Sequence, residues 1–449
     1  MSPLEVRVRA IAGGGAGVAD LPDGRAVFVH GTAPGDRALV RVSEEKPRWA
    51  RAELVRLLEE GPGRRTPPCR FAGRCGGCTL EHLRYAEQLR WKGRFVADAL
   101  ERIGGVAPAD PPEVTPSPRE VRYRSRVSFH LRRLRGGRVV AGFHALGRPG
   151  RIVDVDGGCL LPEEPLAAAW DALRDAWGPG AALLPAGPRL RLTLRRVSEG
   201  VLLVVEGGAS AGDGRRAGAE ELVARAEGIV AVWHRPRRSE PAELLAGLAA
   251  THETWLGRRY AVGASAFLQV NRDAAEALHA AVLGQVGRPA GLRVVDAYAG
   301  VGALGRRLAT DGARVVAIEV DREAARAALD GAPDGFRVLE GTVEELLPEA
   351  LPADVVVLNP PRSGVHEDVA ARLGASGVER IVYVSCDPAT LARDVARLGD
   401  AYEVRRVGAF DLFPQTAHVE TVATLERRSG PPRGSAAEEP HEGGPCATT

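Results

Sequence analysis

The segment VVDAYAGVGALG, residues 294–305, decides the fold of the carboxyl-terminal part of this 449-residue chain. Its first residues are apolar, as in a buried strand, and they run into a glycine-rich loop that opens a helix. Gly300, Gly302 and Gly305 have the spacing GxGxxG, which allows a tight turn and close approach of the backbone to a nucleotide-type ligand. The spacing alone does not separate one class of ligand from another.

Strand and helix patterns alternate around this loop, which predicts a parallel, doubly wound sheet. The strand patterns lie at 292–296, 314–319, 354–358 and 380–385. The second ends at Glu319, where a carboxylate can bind ribose hydroxyls, and the third ends in Asn359-Pro360-Pro361-Arg362. Open α/β sheets bind ligands at the carboxyl ends of their strands. Asp296, directly before the glycine loop, favours S-adenosylmethionine over NAD.

Cys386 stands where the fourth of these strands ends, just before a helix. The strand end directs its thiol towards the same cleft as Asn359, and a helix N-terminus can lower a thiol pKa from about 8.5. This position predicts a nucleophile, and a buried core cysteine is the alternative. Further along, His418 and Glu420 are candidate bases.

The amino-terminal residues suggest a nucleic-acid platform. Four or five short strand patterns with glycine turns in residues 1–60 predict a small OB-like barrel or another small β barrel. Residues 1–160 carry 28 Arg and Lys against 18 Asp and Glu, whereas residues 161–426 carry 29 against 37. A positive end suits a polyanion, because neutralised phosphates release counterions. Solvated surface arginine is the alternative.

The full chain has the composition of an ordinary globular protein, with 45% hydrophobic and 26% charged residues. It contains no apolar run of membrane-spanning length and begins without a signal-peptide pattern, so we expect a cytoplasmic protein. Residues 427–449 are rich in Gly, Pro and Glu and predict a disordered tail.

Between the two ends, a helical pattern covers residues 80–103. An antiparallel central domain is predicted from strand patterns at 121–131, 139–143, 188–196 and 201–206.

Three cysteines, Cys69, Cys75 and Cys78, fall within ten residues, and Gly76-Gly77 lets the backbone fold tightly between them. In a cytosolic setting such a cluster favours a metal over disulfides. Cys159 is the natural candidate for a fourth ligand. Four thiolates suit zinc or an iron–sulfur cluster, and three unliganded thiols are the remaining alternative.

Taken together, these motifs resemble the RNA uracil-5 methyltransferases that carry an N-terminal TRAM domain, a family with iron–sulfur 23S rRNA enzymes and tRNA enzymes. The resemblance covers about residues 1–426, and its most specific part is SCDPATLARD at 385–394. Further matching segments are the cysteine cluster, FLQVN at 267–271, DAYAGVG at 296–302, NPPRSG at 359–364, and Phe413-Pro414 with His418-Val419-Glu420.

The resemblance implies a multidomain protein: a TRAM/OB-like RNA-binding barrel (1–60), a central α+β iron–sulfur domain (61–80 and 113–260) and an α/β Rossmann-like methyltransferase domain (81–112 and 261–426). It implies an enzyme that uses S-adenosylmethionine to form 5-methyluridine in rRNA or tRNA. Cys386 would attack uracil C6, and Glu420 would remove the C5 proton. We expect RNA as partner, no membrane, and a monomer.

The resemblance also implies the other site residues. Cofactor contacts would come from Gln269, Tyr298, Gly300, Gly302, Glu319 and Asn359, and substrate contacts from Phe267 and Arg362. A [4Fe–4S] cluster, with zinc as the alternative, would be held by Cys69, Cys75, Cys78 and Cys159. RNA phosphates would be held by basic residues such as Arg122, Arg124, Arg126, Arg132 and Arg133, for which an exposed strand face is the alternative.

Two positions depart from the family pattern. Asn359 replaces an acidic residue, which leaves a hydrogen-bonding role but no negative charge, and Ala303 stands where relatives often have Asn. These departures motivate one rival, a catalytically degenerate iron–sulfur RNA-binding protein. Asn-Pro-Pro motivates another, an amino-methyltransferase acting on adenine or cytosine. The latter is disfavoured because Arg362, not an aromatic residue, follows the prolines and because Cys386 would be idle.

Overall fold

The computed structural model describes residues 2–210, 214–237, 239–264 and 268–429, and its strands form three large sheets and one hairpin. Phe267, a predicted substrate contact, and residues 430–449 of the predicted tail lie outside the described residues. Within the described ranges, no helix has both the length and the apolar character needed to cross a bilayer.

The first sheet encloses a small core of its own, because side chains alternate between inside and outside along short strands. Val27, Val29 and Val40 face inward and are fully buried. The strands follow the order β1-β5-β6-β4-β3-β2. They are β1 (Leu4–Arg7), β2 (Ala10–Ile11), β3 (Gly17–Asp20), β4 (Ala26–Val29), β5 (Arg37–Glu45) and β6 (Trp49–Glu59). This sheet lies where the sequence predicts the small barrel.

Two elements follow that belong to the carboxyl-terminal domain. They are the helix α1 (Tyr85–Arg102) and the strand β7 (Val114–Thr115). The helix buries Phe95, Val96 and Leu100 on one side. β7 pairs in parallel with β22 (Tyr402–Phe410) and forms the edge of the sheet. The chain therefore enters its last domain, leaves it, and returns, and β7 lies just past the predicted boundary at residue 112.

The central sheet has seven strands in the order β10-β9-β8-β11-β12-β13-β14. Its elements are β8 (Arg126–Arg133), β9 (Val139–Ala145), β10 (Arg148–Asp154), α2 (Glu164–Ala176), β11 (Arg189–Val197), β12 (Gly200–Glu206), α3 (Gly214–Arg225), β13 (Ile229–Arg235) and β14 (Glu243–Gly247). Trp170 of α2 stacks on Phe129 with ring centroids 4.2 Å apart. The sheet is mixed rather than antiparallel, because α3 carries the chain across so that β12 and β13 run parallel.

The carboxyl-terminal sheet has eight strands in the order β19-β18-β17-β20-β21-β23-β22-β7. After the hairpin of β15 (His252–Trp255) and β16 (Arg258–Ala261), its elements are α4 (Arg272–Val286), β17 (Arg293–Ala297), α5 (Ala303–Thr310), β18 (Arg314–Glu319), α6 (Arg322–Leu329), β19 (Phe336–Glu340), α7 (Val343–Ala350), β20 (Val355–Leu358), α8 (Glu367–Ala375), β21 (Arg380–Ser385), α9 (Pro388–Leu398), β22 and β23 (Glu420–Arg427).

The first five strands of this sheet are parallel, as the alternating pattern predicts, and β23 is antiparallel to both of its neighbours. The four predicted parallel strands are present within a residue or two. The strands β19, β22 and β23 were not predicted from the sequence. The last of these inserts between β21 and β22 and thereby shapes the edge at which the parallel strands end.

Candidate active site

Cys386 and Glu420 lie opposite each other at the edge where the parallel strands end. Ser385 on β21 pairs with Thr421 on β23, whose hydroxyl donates to the Ser385 carbonyl over 3.0 Å. Cys386 comes one residue after Ser385, and Glu420 one residue before Thr421, so the two residues flank the last paired positions of these strands. The Glu420 carboxylate influences the Cys386 thiol electrostatically, which agrees with this proximity. The return of β23 thus joins two residues that the sequence presents in separate motifs.

Both groups resist ionisation because they are shielded from water. Glu420 is 3% exposed, and burial raises its pKa from 4.5 to about 7, against the lowering effect of Arg362. Burial also raises the pKa of the Cys386 thiol, the Glu420 carboxylate raises it further, and Arg362 opposes both. Arg362 thus influences both groups electrostatically, so its guanidinium lies in their neighbourhood.

The expectation that a helix N-terminus lowers the pKa of Cys386 is wrong for this structure. Asp387 caps α9, and its carboxylate accepts hydrogen bonds from the amides of Ala389 and Thr390 at 2.9 and 3.1 Å. The helix therefore already has an anion at its N-terminus, and that anion adds to the rise in the thiol pKa.

Arg362 is exposed, but the loop that carries it is firmly attached to α9. The Thr390 hydroxyl donates to the Arg362 carbonyl over 3.1 Å. Asp394, fully buried on α9, accepts from the amide of Val365 over 3.0 Å and from the hydroxyl of Tyr383 over 2.7 Å. Asp394 was not predicted as a site residue, although it lies in the SCDPATLARD segment that carries the family resemblance.

His418 lies at the rim of this site, and its ring meets that of Phe413 edge to face with the ring centroids 5.8 Å apart. Although the residue is exposed, partial desolvation lowers the pKa of its imidazole, and the cations Arg362 and Arg124 lower it further. The imidazole of His418 is therefore neutral at neutral pH. Of the two candidate bases, Glu420 is the one whose pKa lies near 7.

The glycine loop after β17 offers room for a ligand on one side only. A Cβ on Gly300 would meet no atom within 4 Å, whereas one on Gly302 would lie 2.9 Å from Ala328 and Phe336. Gly302 thus serves the packing of α5, and Gly300 faces open space. Tyr298 has a left-handed φ of 62°, and its buried hydroxyl has no hydrogen-bond partner within the described part of the chain. An unsatisfied buried hydroxyl suits a polar ligand such as S-adenosylmethionine.

The acidic residues near this loop hold it in shape. Asp296 accepts from the amide of Gly305 over 2.9 Å, and burial raises its pKa to about 7. Glu319 accepts from the amides of Gly300 and Asp321, each over 2.7 Å. Because each carboxylate oxygen has two lone pairs, Glu319 keeps acceptor capacity for ribose hydroxyls. Asn359 is exposed at the end of β20, and Gln269 is half-buried in the segment before α4.

The four predicted ligand cysteines line one small cavity beside the central sheet, with Phe71, Phe143, Val155 and Leu161 among its walls. The cysteine loop lies close against β9: the Gly76 amide donates to the His144 carbonyl over 2.8 Å, and a Cβ on Gly76 would lie 3.0 Å from that oxygen. Burial raises the pKa of Cys75 to about 11 and that of Cys159 to about 12. All of the cysteines within the described ranges are free thiols.

The thiol cavity has the donor chemistry of an iron–sulfur site, four sulfurs in a largely apolar shell. Across the described residues, no group of three or more His, Cys, Asp or Glu side chains is arranged to hold a metal ion.

Two of the five arginines predicted to hold RNA phosphates have structural roles. The Arg122 guanidinium donates to the Cys159 carbonyl over 2.6 Å and pairs with Glu164 at 2.9 Å. The Arg133 guanidinium donates to a group of backbone carbonyls, including that of Ala181 over 2.7 Å. They are correspondingly unavailable to phosphates. Arg124 instead lies over the Phe413 ring, 5.8 Å from its centroid.

A wide groove between the amino-terminal sheet and the β9–β10 hairpin carries the basic and aromatic side chains that a nucleic acid requires. Phe28 and Trp49 meet edge to face at 6.1 Å, and the Arg51 guanidinium lies over the Trp49 ring at 5.0 Å. Arg148 and Arg151 line the opposite wall. Stacking platforms next to cations are typical of single-stranded nucleic-acid sites. The barrel was predicted from the sequence, but this groove was not.

Comparison with known proteins agrees with this fold. The profile of the tRNA (uracil-5-)-methyltransferase family matches residues 342–428, and that of the TRAM domain matches residues 2–55. An uncharacterised RNA methyltransferase of Gloeobacter violaceus is 36% identical, covering 94% of this chain and 96% of the relative. One of Streptomyces coelicolor is 34% identical, with 94% and 92% covered. The crystal structure of Pyrococcus abyssi tRNA (uracil-54, C5)-methyltransferase with S-adenosyl-L-homocysteine superposes with a TM-score of 0.70 at 26% identity, covering 94% of this chain and all of that one.

Proposed function

The chain belongs to the TRAM-domain RNA (uracil-5-)-methyltransferases, which use S-adenosylmethionine, and from that premise we propose that it forms 5-methyluridine in rRNA or tRNA through covalent attack by Cys386. The observation that carries the proposal is the placement of Cys386 and Glu420 next to Ser385 and Thr421, the last paired residues of β21 and β23. A nucleophile and a base on adjacent strands can act on neighbouring carbons of one pyrimidine ring.

Uracil C5 is a poor nucleophile, and the Cys386 thiolate overcomes this by adding to C6. The electron pair of the C5–C6 double bond moves to O4, which gives an enolate. C5 then takes the methyl group from the sulfonium of S-adenosylmethionine and S-adenosylhomocysteine leaves. Glu420 removes the C5 proton, the double bond re-forms, and the thiolate departs from C6.

The electrostatics of the site suit this order of steps. A base is most effective when its pKa lies near the operating pH, and the pKa of Glu420 is about 7. The raised pKa of Cys386 keeps the resting thiol protonated, and Arg362 is the cation that favours the anionic forms of both groups. Arg362 would therefore support thiolate formation, and its exposure leaves it open to contact with the substrate.

S-adenosylmethionine supplies the methyl group when bound. Tyr298, Gly300, Glu319, Asn359 and Gln269 would hold it: the unpartnered Tyr298 hydroxyl would gain a hydrogen bond, and Glu319 would accept from the ribose. The Asn359 amide can both donate and accept, so the replacement of an acid there is compatible with a neutral polar contact.

A [4Fe–4S] cluster would be held by Cys69, Cys75, Cys78 and Cys159. Iron binding supplies the energy to deprotonate buried thiols whose pKa values are raised, and it would tie the cysteine loop to the segment before α2. Protein purified anaerobically should be brown with absorbance near 400 nm. Colourless protein that contains zinc would refute the iron–sulfur cluster and identify zinc as the bound metal.

Trapping with 5-fluorouridine RNA tests the covalent route, because fluorine at C5 cannot leave as a proton. The wild type should form an SDS-stable adduct that requires S-adenosylmethionine, and the Cys386→Ala variant should form none. Adduct formation by Cys386→Ala would refute the assignment. Labelled methyl transfer to separated rRNA and tRNA from cells that lack the enzyme then identifies the substrate, and N-methylated adenine or cytosine as the product would refute uracil chemistry.

A further inference from the structure

One helix presents a buried polar surface to the loop that leads to Glu420. Gln88 and Lys92 of α1 lie four residues apart, hence on the same helix face, and both are fully buried. Lys92 is one of only two lysines among the 60 Lys and Arg residues of the chain. Burying an ammonium group costs several kcal/mol unless fixed partners compensate, so its partners indicate its role.

Both side chains hold the loop of residues 411–419. The Lys92 ammonium donates to Asp411 Oδ1 over 2.6 Å and to the Phe413 carbonyl over 3.0 Å. The same Asp411 oxygen accepts from the Phe413 amide over 3.1 Å, so the lysine closes a turn. Gln88 and Gln415 exchange two hydrogen bonds, each of 2.9 Å.

This fixed part of the loop is joined to Glu420 by four residues. Gln415 has a left-handed φ of 69°, a conformation that a non-glycine residue keeps only when its surroundings hold it. Within the short connection, the Thr416 amide donates to the Phe413 carbonyl over 3.2 Å. Glu420 then begins β23, with Phe410 as its partner on β22. The position of Glu420 is consequently set by the sheet on one side and by α1 on the other.

We propose that Gln88 and Lys92, which we call the α1 clamp, position Glu420 for removal of the C5 proton. Neither residue reaches the reacting atoms, so they are positioning residues and act through the loop. This inference rests on the proposed function, because proton removal is a separate step only on the covalent route.

Loss of the clamp should slow one step selectively. In Lys92→Met and in Gln88→Leu, attack by Cys386 and methyl transfer proceed while the C5 proton is removed slowly. Methylated adduct should therefore accumulate on ordinary uridine RNA, as it should in Glu420→Gln. We expect kcat to fall about 10- to 100-fold, the range that a misplacement of about 1 Å produces, with the KM values for RNA and S-adenosylmethionine within twofold of the wild type.

Arg133→Met is the matched control, since it removes a cation that binds several carbonyls of the central domain, far from this loop. It should lower the melting temperature without accumulating adduct. Gln88→Leu leaves the buried charges untouched and serves if Lys92→Met does not fold. The inference is overturned if both clamp variants lose activity only in proportion to their stability and form no adduct on uridine RNA. Failure of the wild type to trap 5-fluorouridine RNA would instead overturn the proposed function and this inference with it.

Discussion

Replacing Glu420 with Gln should separate stability from activity, because the same burial that makes Glu420 a base at neutral pH makes its ionised form costly. The pKa of Glu420 rises from 4.5 in the unfolded chain to about 7 in the folded protein. The native state therefore binds more protons than the unfolded state between these values, and stability falls as the pH rises through this range. A change of this size corresponds to about 3 kcal/mol above pH 7.

Glu420→Gln keeps the shape of the side chain and removes the charge. Near pH 4.5 both proteins carry a neutral group here, and their urea midpoints should agree. At pH 8 the variant should be the more stable by up to about 3 kcal/mol while turnover is lost. The control is Cys386→Ala, which is also inactive but retains Glu420 and should keep the wild-type pH dependence between pH 5 and 8. If the free energies of unfolding of Glu420→Gln and the wild type differ by the same amount at every pH, Glu420 is not a buried carboxyl that titrates in this range.

Three further changes test the other parts of the site. Tyr298→Phe should weaken S-adenosylmethionine binding about 5- to 10-fold by calorimetry. The melting temperature should stay within about 1 °C of the wild type, because the hydroxyl has no protein partner to lose among the described residues. An unchanged affinity would exclude Tyr298 from the cofactor site. Trp49→Ala should weaken RNA binding about 10-fold or more in a filter assay at fixed salt, since one stacked base contributes about 1–3 kcal/mol. Its affinity for S-adenosylmethionine should not change. An RNA affinity equal to that of the wild type would exclude the groove as the RNA path. Cys78→Ser should abolish absorbance near 400 nm and lower the melting temperature, whereas iron content equal to the wild type would exclude Cys78 as a ligand.

The local parts of the site could be predicted because each depends on short-range order in the chain. The glycine loop, the ends of β18 and β20, and the position of Cys386 all follow from apolar stretches that stop at polar residues. Strand ends of parallel strands meet at one edge by topology, so motifs far apart in sequence converge without further information. The cysteine cluster was predictable for the same reason, since three of its members lie within ten residues.

Charge effects were predicted poorly, because they depend on every neighbour. The thiol of Cys386 follows a strand and precedes a helix, as expected, yet Asp387 caps that helix and Glu420 lies opposite, so the pKa moves upward. Arg122 and Arg133 belong to the basic end of the chain, but the carbonyls that they bind come from segments 35 or more residues away.

By itself, then, the amino-acid order determined which residues stand at the ends of strands, because hydrophobic periodicity is a local property. Tertiary structure alone decided that β23 runs back between β21 and β22, which sets Glu420 against Cys386, and that Lys92 meets Asp411 across 319 positions of the chain. Pairing between distant strands and the burial of a charge depend on what surrounds each group in space, and no short window of sequence contains that information.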